Sequence, residues 1–160
     1  MENQWPLGVV CPIPDPSSQG AFGAARTHDI HTGVDLYCPK GSEVYAVERG
    51  TVVAVVPFTG PATEPPSPWW HPTWAILVEG SEHVLCYGEV EPLVLAGEPV
   101  EPGQLIGRVL QVLKKDKGKP MTMLHFEMYT RGTNDPVWWR LGQPKPDCLL
   151  DPTPLLSRML

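Results

Sequence analysis

The sequence has few cysteines and few basic residues for its length of 160 residues. Its four cysteines lie far apart and form no Cys-x-x-Cys pair, so we expect mostly reduced thiols and no disulfide framework. Lysine and arginine total 12, against 18 aspartates and glutamates, which gives a net charge of −6. This charge argues against a nucleic-acid partner or an anionic membrane surface, because both bind through clustered basic residues.

Long apolar runs are absent as well. No stretch approaches the roughly 18 apolar residues that a membrane-spanning helix needs. The first residues also lack the basic start and apolar run of an export signal. We therefore expect no membrane span and, by default, a cytoplasmic protein. The length favours one domain over residues 1–160.

Proline and glycine are plentiful, with 20 and 15 residues, and they punctuate short apolar runs. No window of useful length has helical periodicity, so the pattern predicts an all-β, antiparallel fold, as a two-sheet sandwich or a partly open barrel. The predicted strands are 34–38, 43–46, 50–56, 74–78, 83–87, 105–113 and 121–129. Only residues 149–160 are predicted to hold a helical turn.

Two segments are expected to lie outside the sheet. Residues 1–30 form an irregular entry segment, and residues 57–73 form a loop in which six prolines would remove hydrogen-bond donors from a sheet. The flat side chains of Trp69, Trp70 and Trp74 could line a ligand groove. The alternative is that these tryptophans only anchor the loop by packing.

His31-Thr-Gly-Val-Asp35 and His125 carry the ligand chemistry of a zinc site. Imidazole nitrogen and carboxylate oxygen suit Zn²⁺, and three protein ligands leave a fourth tetrahedral position for water, as in catalytic sites. The simpler alternative for the first motif is a histidine and an aspartate that merely border a turn.

Further segments in a fixed order make the chain similar to a known family. They are Phe22-Gly23 with Arg26, the His31 motif, residues 41–52, Tyr87-Gly-Glu-Val90, residues 100–107, Leu124-His-Phe-Glu127 and Leu150-Asp-Pro152. With these segments the sequence resembles the lysostaphin-type zinc endopeptidases, which are bacterial cell-wall hydrolases that cut peptidoglycan cross-links. The resemblance covers nearly the whole chain. It implies a compact antiparallel sheet with a groove over it, a peptide or peptidoglycan-like ligand, and zinc held by His31, Asp35 and His125.

Two positions depart from the family's pattern. Its last motif is His-x-His, in which the second histidine is a ligand and the first acts in catalysis, and Met123 stands in the first position. The family also has a Tyr-x-His-Leu element whose histidine orients the water or polarises the oxyanion. Glu89 stands in its place, after Tyr87, which could also line the groove. With both histidines replaced, the resemblance implies a zinc-binding relative that is catalytically weakened or inactive, a pseudoenzyme.

Glu89 leaves an alternative open, because a carboxylate beside a zinc-bound water can activate that water as a general base. The protein would then be an active zinc endopeptidase acting on peptidoglycan-type peptides; otherwise Glu89 is a solvated acid at a strand end. His28 could act as the base or as an alternative metal ligand. The simpler expectation is an exposed histidine in a loop. A third alternative is a lipoyl- or biotinyl-type carrier protein. Only the glycine hairpins favour it, and they lack a convincing lysine for modification at a central hairpin tip.

Overall fold

The computed structural model describes residues 2–160, in which short strands dominate and helix is almost absent. The strands are β1 (Val34–Tyr37), β2 (Glu43–Tyr45), β3 (Gly50–Thr59), β4 (Thr73–Glu79), β5 (His83–Pro92), β6 (Pro99–Val100), β7 (Leu105–Val109), β8 (Met123–Thr130) and β9 (Leu149–Leu150), and the helix is α1 (Thr153–Ser157). The predicted helical turn near the end of the chain is confirmed. Among residues 2–160 no helix is long and apolar enough to cross a membrane.

All strand pairs are antiparallel, and the sheet is not closed, which confirms the all-β prediction. Its main order is β1-β8-β5-β4-β3-β6, while β7 joins β5 to β2 and β9 extends β8. Strand β5 connects the two parts of the sheet. Its first half, residues 83–88, pairs with β8, and its second half, residues 90–92, pairs with β7.

Glu89 lies where β5 changes partners. On the other side of β5, Trp74 pairs with Val90 and Ala75 pairs with Gly88, so Glu89 is an extra residue in this ladder. Its φ of 66° is in the left-handed region, which is unusual for a residue with a side chain. These features define a β-bulge, and bulges are over-represented next to active sites, where they redirect a side chain.

Apolar residues cover both faces of the sheet. Residues Val34, Leu36, Leu124 and Phe126 belong to the larger core on one face, together with residues from β2, β4, β5 and β7. The smaller core on the other face contains Tyr129. Because side chains alternate along a strand, His125, Glu127 and Tyr129 share this second face of β8.

The predicted loop at residues 57–73 begins later than expected. Strand β3 continues to Thr59, and Pro57 pairs with Trp74 inside the sheet. The expectation that Pro57 stays outside was therefore wrong. At this point β3 has a neighbour only on the β4 side, since β6 pairs only with Gly50 and Thr51. A proline is compatible with such an edge because its missing N–H faces no partner strand.

Candidate metal centre

Three predicted ligand atoms meet beside the start of β1. His31 Nε2 lies 3.2 Å from Asp35 Oδ1 and 3.1 Å from His125 Nδ1, and the last two atoms are 3.1 Å apart. The three residues are almost completely buried, with exposed fractions of 5–6%. The structure therefore brings together residues that are 94 positions apart in the sequence.

The pairing of β1 with β8 creates this convergence. Asp35 lies directly opposite His125 in the ladder, so their side chains emerge on the same face. His31 reaches them because the chain before β1 runs very close to β8. A Cβ atom at Gly33 would lie 2.5 Å from the Phe126 carbonyl oxygen and 3.0 Å from His125 Nε2. The glycine of the His31 motif thus permits a close approach that any side chain would block.

Hydrogen bonds on the outer side of each imidazole determine which nitrogen faces the centre. His31 Nδ1 lies 2.9 Å from the Ala21 carbonyl oxygen, and His125 Nε2 lies 2.8 Å from Glu127 Oε2. Both partners are acceptors, so both outer nitrogens carry the proton and donate. The inner nitrogens of neutral His31 and His125 then present lone pairs to each other and to the Asp35 carboxylate, with no donor between them. Such a set of acceptors requires a cation.

Glu127 joins the candidate centre from behind His125, a role that its sequence position alone does not indicate. It is buried, and it accepts hydrogen bonds from the Thr32 hydroxyl and, at 2.6 Å, from the Tyr129 hydroxyl. Burial alone would raise the pKa of Glu127, but His125 and these hydroxyl groups lower it below its ordinary value. The alternation His125, Glu127 and Tyr129 along β8 was the available signal, since it places polar side chains on one face.

Negative charge dominates the centre. Burial would lower the pKa of His125, but the Glu127 and Asp35 carboxylates reverse this effect and raise it well above its usual value. Burial would raise the pKa of Asp35, yet hydrogen bonds and charge from His125 and His31 hold it well below its usual range. Arg26 lies at the mouth, with Nη2 3.6 Å from the second oxygen of Asp35. The metal-free centre therefore attracts protons, which is the property expected of an empty ligand set for a cation.

The donor set fits zinc. Two imidazoles and one carboxylate form a common catalytic zinc set, and tetrahedral zinc with bonds near 2.0–2.1 Å separates its ligand atoms by about 3.3 Å. The observed separations of 3.1–3.2 Å are close to that value. A carboxylate behind a ligating histidine, as Glu127 is behind His125, is also typical of zinc sites.

Glu89 lies next to this centre, because the preceding residue, Gly88, pairs directly with His125. The Oε2 atom of Glu89 is buried and has no hydrogen-bond partner within residues 2–160, although the residue as a whole is partly exposed. Burial and then the Asp35 charge raise the pKa of Glu89 to about 8. A buried carboxyl without a partner on a strained bulge is characteristic of a functional residue.

The other two predicted residues of the site differ in their surroundings. Met123 begins β8 and, two residues before His125, lies on the metal face opposite Tyr37. His28 is exposed, and its backbone carbonyl accepts the amide of Leu141. Within residues 2–160 its side chain forms no hydrogen bond or ion pair with His31, Asp35 or His125.

The predicted groove residues have different environments. Trp69 is 62% exposed, its ring centroid is 5.9 Å from that of the partly buried Trp70, and Trp74 lies opposite Val90 on the edge of the Glu89 bulge. Tyr87 does not line a groove. It is fully buried, and its hydroxyl accepts the Val47 amide at 2.8 Å. Successive residues of a strand face opposite sides of the sheet, and the next residue, Gly88, is on the side of His125. The Tyr87 side chain therefore points to the other side, into the larger core.

A cavity of about 310 Å³ lies near the β5 bulge but is lined neither by Glu89 nor by His31, Asp35 or His125. Its lining residues are Lys40, His71, Pro72, Leu110 and Gln111. The amide of Leu110 donates to the Glu89 carbonyl at 3.0 Å, which connects the cavity wall to the bulge. A larger cavity of about 580 Å³ is lined by residues 2–5 and residues near α1, and it contains none of the three ligands.

Comparisons with known proteins agree with this architecture. The model of peptidase family M23 matches residues 29–137. The fold is similar to LytU (18% identity, 97% of this chain and 91% of that chain, TM-score 0.58) and to the catalytic domain of the antimicrobial peptidase lysostaphin from Staphylococcus simulans (18%, 98% and 92%, 0.53). It is also similar to a zinc-containing peptidase from Vibrio cholerae (24% identity, TM-score 0.56).

The comparison covers 86% of this chain and only 38% of the Vibrio cholerae protein. Among curated protein sequences, none matches this chain significantly. The family model covers both motifs that form the candidate centre, His31 to Asp35 and His125, together with Glu89. The chain therefore belongs to peptidase family M23, the lysostaphin-type peptidases.

Proposed function

We propose that this chain is a zinc-dependent peptidase-like hydrolase that acts on peptides of the peptidoglycan type, with Glu89 as the group that accepts a proton from water. The observation that carries the proposal is the buried, unpartnered oxygen of Glu89 on a bulge beside His125. A left-handed conformation costs a residue other than glycine about 1 kcal/mol or more. A function for the Glu89 carboxyl explains why the fold tolerates this cost.

His31, Asp35 and His125 would hold the zinc ion, with Glu127 fixing the orientation of His125. When bound, zinc would polarise a peptide carbonyl and make a water molecule more acidic. The cation would also offset the Asp35 charge that raises the pKa of Glu89, so that the Glu89 carboxyl becomes a carboxylate able to accept a proton.

The first experiment measures zinc content and hydrolysis together. We expect one zinc per chain in the wild type and none in Asp35→Ala, together with zinc-dependent cleavage of pentaglycine or of peptidoglycan stem peptides. Glu89→Gln should reduce the rate about 10²–10⁴-fold while leaving the zinc content unchanged. The matched control is Glu91→Gln, which removes a carboxylate from an exposed position two residues along the same strand. Equal rates for Glu89→Gln and wild type would exclude Glu89 as the proton acceptor.

A second candidate function is that of a weakened or inactive relative that binds a peptide-like ligand without efficient turnover. The observation in its favour is Met123, which places a thioether on the metal face where the family has a catalytic histidine. Wild-type protein with full zinc and no cleavage would favour this candidate. Robust turnover that is lost in Glu89→Gln and survives in Met123→Ala would exclude it.

A further inference from the structure

Tyr37 lies beside the metal centre, at a place where no other side chain has been assigned a chemical role. It follows Asp35 by two residues, so both side chains emerge on the same face of β1. In the ladder, Asp35 lies opposite His125 and Tyr37 lies opposite Met123. Side chains that are directly opposed in this way are neighbours, with Cβ atoms about 4.5–5.5 Å apart. The Tyr37 ring is therefore next to the side chain that stands in the place of a catalytic histidine.

The Tyr37 hydroxyl is held in place and unengaged. Its oxygen packs directly over Gly20, where an added Cβ atom would overlap it and would lie 3.1 Å from the ring carbon Cζ. The Gly20 carbonyl in turn accepts the Asp35 amide at 2.9 Å, so the same glycine supports the hydroxyl and the ligand strand. Within residues 2–160 the hydroxyl has no hydrogen-bond partner, and Tyr37 is 38% exposed. It is therefore available as a hydrogen-bond donor.

Among the charged groups near Tyr37, Arg26 favours a negatively charged oxygen at this place, whereas Asp35 and Glu89 oppose it. The Arg26 guanidinium contacts Asp35 and also donates to the carbonyl of Gln19, the residue before Gly20. It brings a permanent positive charge to the same side of the centre. Met123 cannot donate a hydrogen bond, so in the opposed pair of Tyr37 and Met123 the neutral O–H donor is Tyr37.

We propose that the Tyr37 hydroxyl stabilises the oxygen of the scissile amide as it becomes negatively charged. This inference rests on the proposed function. Water attacks the carbonyl carbon, a C–O bond forms, and the π pair of the carbonyl moves onto its oxygen, which accepts the hydrogen bond from Tyr37. When the C–N bond breaks, that pair returns, the amine takes the proton that Glu89 received from water, and Tyr37 keeps its own proton throughout.

The test uses Tyr37→Phe, which keeps the ring and removes only the hydroxyl, and inorganic phosphate as a tetrahedral oxyanion probe. Phosphate binding is measured on the full chain loaded with Co²⁺, whose visible absorption reports anions at the metal. We expect Tyr37→Phe to weaken phosphate binding about tenfold or more, because a hydrogen bond to a charged oxygen is lost. In hydrolysis assays kcat should fall about 10²–10³-fold with little change in KM.

The matched control is Tyr45→Phe, the same chemical change on β2, a strand that pairs with β7 and contacts neither β1 nor β8 in the sheet. It should leave phosphate affinity unchanged. The variant Tyr37→Phe/Met123→His should regain affinity, because histidine returns a donor to the opposite position. Equal phosphate affinities of wild type and Tyr37→Phe at equal cobalt content, or no phosphate binding to the wild type, would overturn the inference. Failure of the proposed function is recognised separately, by missing metal in the wild type or by turnover that is independent of Glu89.

Discussion

The Nε2 atom of His125 lies 2.8 Å from Oε2 of Glu127, so the carboxylate determines which nitrogen of His125 faces Asp35 and His31. Glu127 is itself held by two hydroxyl donors, Thr32 and Tyr129. Thr32 belongs to the first ligand motif, whereas His125, Glu127 and Tyr129 belong to β8. The Glu127 carboxylate therefore links the two motifs by hydrogen bonds behind the centre. This link adds to the direct contacts among His31, Asp35 and His125.

We expect Glu127→Gln to weaken zinc binding about 10–100-fold, because an outer carboxylate increases the basicity of a ligating histidine and fixes its orientation. Glutamine keeps the shape of the side chain and removes the charge. Zinc affinity can be measured by competition with a chromophoric chelator. The exposed Glu101, which pairs with Arg49 away from the centre, provides the control substitution Glu101→Gln. Unchanged affinity in Glu127→Gln would mean that this carboxylate does not support a metal ligand.

Glu89 should make the stability of the metal-free protein depend on pH. Burial raises the pKa of its carboxyl from 4.5 to about 8 in the folded state. Between these values the folded protein binds a proton that the unfolded chain has released, so the free energy of unfolding should fall as pH rises from about 4.5 to 8. The slope of this contribution is at most about 1.4 kcal/mol per pH unit, which corresponds to one proton.

Glu89→Gln should remove this contribution, since glutamine does not titrate. The measurement is urea unfolding of the metal-free wild type and variant at pH 5, 6.5 and 8. We expect the variant to gain stability relative to wild type as pH rises, because other titrating groups contribute similarly to both proteins. A constant difference across the three pH values would contradict the raised pKa of Glu89.

The sequence was sufficient to predict the family, most of the longer strands and the meeting of His31, Asp35 and His125, because alternating apolar residues and the His31 motif are local signals. It missed the two-residue strands β6 and β9, and the predicted strand 105–113 ends at Val109. It could not reveal the bulge at Glu89, which results from β5 pairing with two different strands. It also suggested Tyr87 as a possible groove residue. An aromatic residue beside a family motif can point to either face, and here the Val47 amide and the larger core hold it inside. These properties depend on long-range pairing, which no local pattern encodes.

The buried Tyr87 hydroxyl should contribute to stability and not to zinc binding. It accepts the Val47 amide, and Tyr87→Phe would leave this buried N–H without a partner. We expect a loss of about 1–3 kcal/mol in the free energy of unfolding, measured by urea titration. Zinc affinity should be unchanged, because the ring points into the core opposite the metal face. A loss of zinc without a loss of stability would instead place Tyr87 at the centre.

Met123 and Glu89 are the two positions that depart from the family's pattern. We expect Met123→His/Glu89→His to hydrolyse pentaglycine in a zinc-dependent manner, faster than Glu89→His alone. Met123 is partly buried on the His125 face, so an imidazole at this position would face the metal. Histidine tolerates the left-handed conformation of residue 89 better than most residues do. A positioned acid or base contributes about 10²–10⁴-fold to a rate, and this range bounds the expected gain.

Hydrolysis by the double variant should disappear after chelation and in the triple variant that also carries Asp35→Ala, while the zinc content of the double variant should equal that of the wild type. The single variants separate the two candidate functions. If Glu89 is the proton acceptor, Glu89→His alone should be slower than the wild type, because it removes a working base and the other position still carries a thioether. If the wild type is inactive, Glu89→His alone changes nothing and the double variant creates the activity. A fully zinc-loaded double variant without hydrolysis would contradict the prediction, and it would show that proton transfer at these two positions is not what limits cleavage of the peptide.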